Sequence, residues 1–539
     1  MVYSTIRRNG FTMKRRSFLK YTGLNAIGLT LHNYDKLTGT ALAASVVKER
    51  NSKLKVAACR FETEVEVGAP TYGQTGSLVQ NIAGPLKTTV LLIEDGSQRL
   101  CLVASDFSID SQTTAPFLRK EAAKMLVLDD SRILMFSSHN HSVARFAEGE
   151  LRSFQGYGKK NEETPKMELL PFGKRFVESL RQHLRKLPDA LEPATILWAQ
   201  GQEGRITYNR KGRRADGSTY FMREEDRKLV GEDFNGDIDR EVPVVVFQGK
   251  NGKPIAALLQ FTGHPVTSYR PEKLTIFGDY PSVAADILGQ ALGKGGQAIP
   301  VAFLQGCAGD VNSKEMFAGG VSRAQKFGEM LGQSAIDALA NLKPSHLDSM
   351  DYTEQKVAIP LAPLPGRDLI LAEINEMKDF IRRAQTGDED TLSCVGLNFP
   401  RALSPKYRSA LVNTPLGWNK WALDIYEQGR QDTIMRSLDV PVYVLRLGDV
   451  AVIGMPFEPF QGIGRQIRAQ SPYPLTIPCG YVNGSHAYVT DSANTGDREY
   501  MSAFYRYTRF RPPFAKPAGD VVADRAIKIL QGYMEKQSG

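Results

Sequence analysis

Cysteine is scarce in this chain: five residues in 539, at positions 59, 101, 307, 394 and 479, with no C-x-x-C. An odd, scattered set excludes a disulfide framework and a thiolate zinc site, and leaves small buried apolar side chains. Long hydrophobic runs are missing too. Past residue 43 no stretch approaches the roughly 18 apolar residues that would cross a bilayer. There is no internal repeat, no low-complexity tract, no G-x-S-x-G, no H-E-x-x-H and no P-loop, so serine-elbow hydrolysis, zincin chemistry and nucleotide binding of that type lose their signatures.

Charge of one sign is also lacking over most of the length. The net charge is +9, but residues 1–43 hold seven Lys/Arg and one acid, so that segment carries +6 and the remainder only +3. A body of that size at +3 has no global reason to seek phosphate backbones, and no nucleic-acid partner is expected. At 42% hydrophobic and 24% charged residues, the chain reads as a globular protein with a sizeable core. Such a core needs no structural metal, so a metal here would serve chemistry.

The N-terminus reads as an address. Lys14-Arg15-Arg16-Ser17-Phe18-Leu19-Lys20 has the form of a twin-arginine export signal, followed by the mildly apolar Tyr21–Leu31 and an A-x-A pattern at Ala41-Leu42-Ala43. The expectation is a signal peptide over 1–43, a mature protein over 44–539 in the periplasm or outside, and no transmembrane segment.

Strand and helix patterns then alternate. Val56–Cys59, Thr88–Glu94, Leu100–Ser105, Ile133–Ser137, Thr195–Ala199, Val242–Gln248, Ile255–Phe261 and Val301–Gln305 read as strands, and Val440–Leu447 with Val450–Met455 as a late hairpin. Thr114–Leu126, Lys174–Arg185, Ser322–Leu342, Asp368–Arg383 and Asp520–Met534 read as helices. The order predicts an α/β protein: a mixed sheet with helices on its faces, with lobes over 54–345 and 366–535 parted at the Pro-rich 360–365.

Histidine is the informative residue, because only seven occur. His139 and His141 stand just past the strand Ile133–Ser137, and His264 just past Ile255–Phe261. Carboxyl ends of strands are where open α/β sheets place ligands, and i, i+2 residues of an extended chain face one side. On this pattern alone, metal ligands and hydrogen-bonded loop histidines both stand; a lone His such as His264 is more often structural. Asp106, Asp279 and Asp310 recur at similar exits, as orienting carboxylates or as helix caps.

Taken in order, the motifs resemble the neutral, non-lysosomal ceramidase family. Ser138-His139-Asn140-His141-Ser142 is similar to the family's His-Thr-His-Ser element, Asn209-Arg210 to its substrate-side Asn-Arg, and Thr262-Gly263-His264 to its second zinc histidine, with Gly278-Asp279-Tyr280 behind it. Gly309-Asp310-Val311 resembles its catalytic Gly-Asp-Val, Met455–Glu458 its Pro-Gly-Glu, and Asn483–Thr490 the stretch with its zinc tyrosine. The resemblance implies zinc held by His139, His264, Glu458 and Tyr488. It places His141 beside the metal as a proton shuttle, Asp310 and Asn312 in the catalytic segment, and Asn209 and Arg210 at the substrate's polar head. Zinc would polarise a carbonyl and lower the pKa of a bound water.

Two departures stand out. The family's nucleophilic Ser follows Gly-Asp-Val directly, whereas here Asn312 follows and Ser313 comes one place late, which turns a strand side chain to the other face. Asn312 is then an oxyanion donor and the attacking group a metal-activated water. The family also usually continues into an immunoglobulin-like domain tied to lipid surfaces, which leaves the substrate open. The expectation is a zinc amidohydrolase for a small or lipid-like N-acyl substrate, with at most transient membrane-surface contact. The alternatives are a zinc esterase or amidase for a sugar or cell-wall fragment, and a catalytically silent zinc-containing binding protein.

Overall fold

A computed structural model describes residues 53–71, 77–150, 166–293, 296–508 and 511–538. The export-signal reading at 1–43 lies outside the described residues.

Three sheets build the body. The first runs in the order Ile133–Ser137, Arg99–Ser105, Leu86–Glu94, Lys55–Thr63, Glu192–Pro193; the second Val301–Gln305, Pro254–Phe261, Glu241–Gln248, Thr195–Gln202, Lys343–Pro344. The third runs Met350–Pro360, Ser437–Leu447, Val450–Gly454, Leu475–Cys479. Most pairings are antiparallel, yet each sheet holds one parallel pair, at Arg99–Ser105 with Ile133–Ser137, Pro254–Phe261 with Val301–Gln305, and Val450–Gly454 with Leu475–Cys479. The mixed sheet expected from the sequence is therefore three mixed sheets.

The continuous apolar runs follow from burial on both faces. Leu91, Ile93 and Leu102 of the first sheet, Val245, Phe247 and Leu258 of the second, and Leu445, Val452 and Ile477 of the third share one core. The residues between them face helices instead. Val90, Leu92 and Val103 meet Leu118 of Thr114–Leu126 and Phe176 of Pro171–Leu184. Val244 and Leu259 meet Leu288 and Leu331 of Asp279–Leu292 and Gly320–Ala338. Val442 and Ile453 meet Ile463 and Val522 of Gln461–Gln470 and Asp520–Ser538. Each such side chain contributes roughly 1.5–3 kcal/mol on burial, and the shared core joins the two expected lobes.

Several elements are absent from the sequence reading, four of them in or against the third sheet and the helices beside it. Met350–Pro360 is an edge strand whose charged, half-exposed residues give no apolar run. Pro405–Glu427 is a helix that carries Pro415 inside it and buries Trp418 and Ile425, so its Pro hides a long pattern. Leu475–Cys479 and Gln461–Gln470 are short. Cys101, Cys307, Cys394 and Cys479 are buried and unbonded, as the sparse cysteine count suggests. No described helix is long and apolar enough to cross a membrane.

One glycine ties a helix pair to the site. A Cβ on Gly328 of Gly320–Ala338 would lie 2.4 Å from Val283 Cβ and 2.8 Å from the Tyr280 carbonyl. The Tyr280 hydroxyl in turn donates to the Gly263 carbonyl, beside His264. Gly328→Ala should lower stability by about 1–3 kcal/mol through this overpacking, read as a reduced urea midpoint with an unchanged slope.

Candidate metal centre

All six strands of the three parallel pairs point their carboxyl ends at one place. Asp106 and Asp110 follow Ser105, His139 and His141 follow Ser137, His264 follows Phe261, Asp310 and Asn312 follow Gln305, Glu458 follows Gly454, and Tyr481 and Tyr488 follow Cys479. Backbone hydrogen bonds stitch these exits together, the third sheet's to both of the others. Ser138 N donates to Ser105 O at 2.9 Å, Ser137 N to Tyr481 O at 3.2 Å, Gly480 N to Gln305 O at 3.1 Å, His264 N to Val311 O at 3.0 Å and Gly309 N to Pro459 O at 2.8 Å. Glu458 and Tyr488 sit opposite each other in a two-residue parallel ladder.

The His139–His141 pair converges by a route the extended-chain argument did not contain. His139 has φ 62°, a left-handed conformation. The intervening Asn140 is fully buried and donates to Asp106 O at 3.1 Å and Phe277 O at 2.7 Å. A tight turn anchored by an amide, rather than a strand, brings the two rings to 4.9 Å. Gly263 likewise serves closeness and not a left-handed turn: a Cβ there would meet Thr207 Cγ2 at 2.5 Å.

One ring nitrogen from each of His139, His141 and His264 lies within 4.8 Å of the others. His264 Nδ1 is 2.7 Å from the Ala308 carbonyl and His139 Nδ1 is 3.3 Å from Asp110 Oδ2. These acceptors take the Nδ1 protons, which turns both Nε2 lone pairs inward. Both Nε2 atoms then face the same oxygen, Glu458 Oε2, at 3.0 Å from His264 and 3.4 Å from His139. Two lone pairs aimed at one carboxylate oxygen repel unless a cation or a proton lies between them. The donor set fits a divalent metal of the zinc type.

The electrostatics agree. Burial disfavours a charged His139, but Glu458 and Asp110 outweigh it and lift its pKa to about 9. Burial and the Arg210 guanidinium push His264 down to about 4, and burial with the two neighbouring imidazoles takes His141 well below its usual range. Burial raises Glu458, yet His139 and His264 pull it well below an ordinary carboxyl. Without metal, one proton on His139 balances the carboxylate.

Arg210 is 3% exposed and forms a second layer. It donates to Gly309 O at 2.7 Å, Tyr488 Oη at 2.9 Å and Asn312 Oδ1 at 3.2 Å. Burial raises the Tyr488 phenol well above its usual range, against the pull of Arg210. Asp310 is turned away from the histidines. Its carboxylate accepts Gln461 N at 2.8 Å and Asn209 Nδ2 at 3.3 Å, fixing the start of Gln461–Gln470. Asp106 accepts Lys87 N at 2.7 Å, and Asp279 accepts Ser268 N at 2.8 Å, so neither orients an imidazole. Ser313 Oγ accepts from Thr267 Oγ1 at 2.8 Å and Val266 N at 3.3 Å, on the opposite side of its strand from Asn312.

Two residues of the centre escape sequence reasoning. Asp110, which orients His139, lies four places past Asp106, and only its position after a strand exit hinted at it. Tyr481, whose ring centroid is 4.4 Å from that of His139, carried no motif at all.

No protein-family profile matches the chain, and no curated protein matches its sequence. Solved structures do. A neutral ceramidase from Pseudomonas aeruginosa superposes with TM-score 0.55 at 16% identity, over 90% of this chain and 75% of that one. A ceramidase complexed with C2 gives TM-score 0.58 at 15% identity, again over 90% and 75%. The chain has the neutral ceramidase fold. The fold that the six sequence motifs pointed to is thus present, and with it the strand exits that carry those motifs.

Asp110→Asn keeps the side-chain shape and weakens the hold on His139 Nδ1. Metal affinity should fall about 10–100-fold, measured by competition with a chelating dye; unchanged affinity would remove Asp110 from the centre.

Proposed function

We propose that this protein is a zinc-dependent hydrolase that cleaves the amide bond of a ceramide-like or other N-acyl substrate by metal-activated water. The observation that carries the reading is the convergence of His139 and His264 Nε2 on Glu458 Oε2, with His141 beside them. The ceramidase fold around these residues supports the choice of an amide.

His139, His264, Glu458 and Tyr488 would hold the ion, with His141 beside it. Zinc at this point supplies a polarised carbonyl and a water acidified towards a pKa of about 7. The chain's own groups do the rest. Asp110 and the Ala308 carbonyl hold the imidazole tautomers. Arg210 fixes the Asn312 amide and favours the ionised form of Tyr488. His141, kept neutral by burial and by the neighbouring His139 and His264, takes a proton from the attacking water and returns it to the leaving amine. Ser313 is engaged elsewhere, which favours water over a covalent serine route.

The purified protein should contain about one zinc per chain, and a chelator should abolish N-acyl hydrolysis that added zinc restores. His264→Ala should lose both metal and activity; a variant that keeps full zinc sinks the reading. Turnover of esters or N-acyl sugars without ceramide cleavage would redirect the substrate, and zinc without any hydrolysis would make this a binding protein.

We also propose twin-arginine export to the periplasm or beyond, supported by the Lys14–Lys20 motif. Replacing Arg15 and Arg16 together with Lys should retain the protein, folded, in the cytoplasm, as seen by fractionation.

A further inference from the structure

A cleft of about 650 Å³ opens beside the metal centre, and none of the centre's residues lines it. Phe221 links the two: it lines the cleft, and its ring also lies 5.7 Å from the Arg210 guanidinium. Two small hairpins form the walls, Lys211–Arg213 with Thr219–Phe221 and Ser393–Cys394 with Leu397–Asn398. Glu376 of the helix Arg367–Gln385, together with Arg498 and Arg506, completes them. Asn398 Nδ2 donates to Phe221 O at 3.0 Å and ties one hairpin to the other. Tyr500 N donates to Gly396 O at 3.1 Å. A Cβ on Gly396 would lie 2.2 Å from the Arg498 carbonyl, and its neighbour Val395 is held at φ 43°. A β-branched residue stays in that left-handed region only where its surroundings fix it, so this wall is rigid.

Four guanidiniums line the cleft, from Arg214, Arg223, Arg498 and Arg506, against two carboxylates, Asp226 and Glu376. Arg223 is spent on Asp226 at 2.7 Å, and Arg506 on the buried Glu373 behind it at 2.6 Å. That leaves Arg214 and Arg498 facing Glu376, an excess of one positive charge. Glu376 is itself held to the wall, accepting Val395 N at 2.6 Å. Arg498 makes one long contact to Glu373, at 3.3 Å, and its side chain is 68% exposed. Arg214 has no carboxylate partner among the described residues. Its guanidinium is stacked 4.6 Å from the Tyr220 ring, and its hydrogen bond, to Ser218 Oγ, is 3.4 Å long. Stacking fixes the plane of the fork while leaving its N–H groups unspent.

We propose that this cleft binds a small organic anion, whose carboxylate or phosphate is held by Arg214 and Arg498 and whose body lies against Tyr220 and Phe221. A guanidinium fork matches either oxyanion through two parallel hydrogen bonds. The volume falls within the range of small-ligand sites, about 300–1,000 Å³, and exceeds what a bare inorganic ion fills. The site goes beyond the hydrolase reading and does not depend on it, since no metal ligand takes part.

The test is fluorescence anisotropy with three soluble probes of one shape: methoxycoumarin acetate, methylumbelliferyl phosphate and the neutral methoxy-methylcoumarin. Each is titrated with the purified protein, with and without a chelator. At least one anion should bind at sub-millimolar Kd in both conditions, and the tighter of the two identifies the head group. The neutral probe should bind at least about tenfold more weakly. Arg214→Gln and Arg498→Gln should each weaken the anion about 3–10-fold, and the double variant by more. Both side chains are exposed, so the variants should keep the wild-type Tm. The proposal is overturned if neither anion saturates by about 5 mM, or if the neutral probe or the double variant comes within about twofold of the wild-type anion affinity. Binding that the chelator abolishes overturns it too, because the anion would then sit on the metal.

Discussion

Two imidazole nitrogens and one carboxylate oxygen set the terms for the rest of this molecule. Glu458 Oε2 is 3.0 Å from His264 Nε2 and 3.4 Å from His139 Nε2, while both Nδ1 atoms are claimed by acceptors behind them. With both Nδ1 protons given to those acceptors, that geometry is repulsive unless positive charge sits at its focus, and the Arg210 guanidinium, 3.3 Å from His264 Nε2, supplies part of it. A buried, unpaired charge of either sign would cost several kcal/mol, so the fold must supply a cation or a proton there, and it must supply rigid walls to keep the three atoms converged.

The walls come from the way three sheets end. Each contributes one parallel pair, and the carboxyl ends of all six strands meet. Their exits cannot relax separately, because backbone hydrogen bonds run from one sheet to the next through Tyr481, Gln305 and Pro459. Left-handed residues cluster at the same junction: His139, Tyr481, Asn483 and Ala487 all have φ near 60°. Such strain persists only where the surroundings over-determine the backbone. Here the surroundings are a core shared by all three sheets.

Arg210 adds a fixed positive charge one layer out. It bridges Gly309, Asn312 and Tyr488, so the loop with the Gly-Asp-Val motif and the ladder with Glu458 respond to one guanidinium. That cation lowers the proton affinity of His264 and leaves His139, backed by Asp110, as the site of the balancing proton. Asn312 is held within this layer, its amide oxygen accepting from Arg210.

Much of this was legible in the chain itself. The buried strands announced themselves as apolar runs, Ile133–Ser137 and Val301–Gln305 to the residue, because burial on two faces leaves no polar position in them. Histidine scarcity and strand-exit placement singled out His139, His141 and His264, and ordered motifs added Glu458 and Tyr488. The polar edge strand Met350–Pro360 and the helix interrupted by Pro415 were not legible, since neither shows the periodicity that burial imposes. Nor were the roles of Asp110, Asp310 and Tyr481. A carboxylate at a strand exit looks the same whether it backs an imidazole, as Asp110 does, or caps a helix, as Asp310 does. Local residue order determined which side chains are available at the strand ends. Which of them face the focus depends on turns and inter-sheet hydrogen bonds between residues hundreds of positions apart, such as Ser137 and Tyr481, and only the tertiary structure decides those.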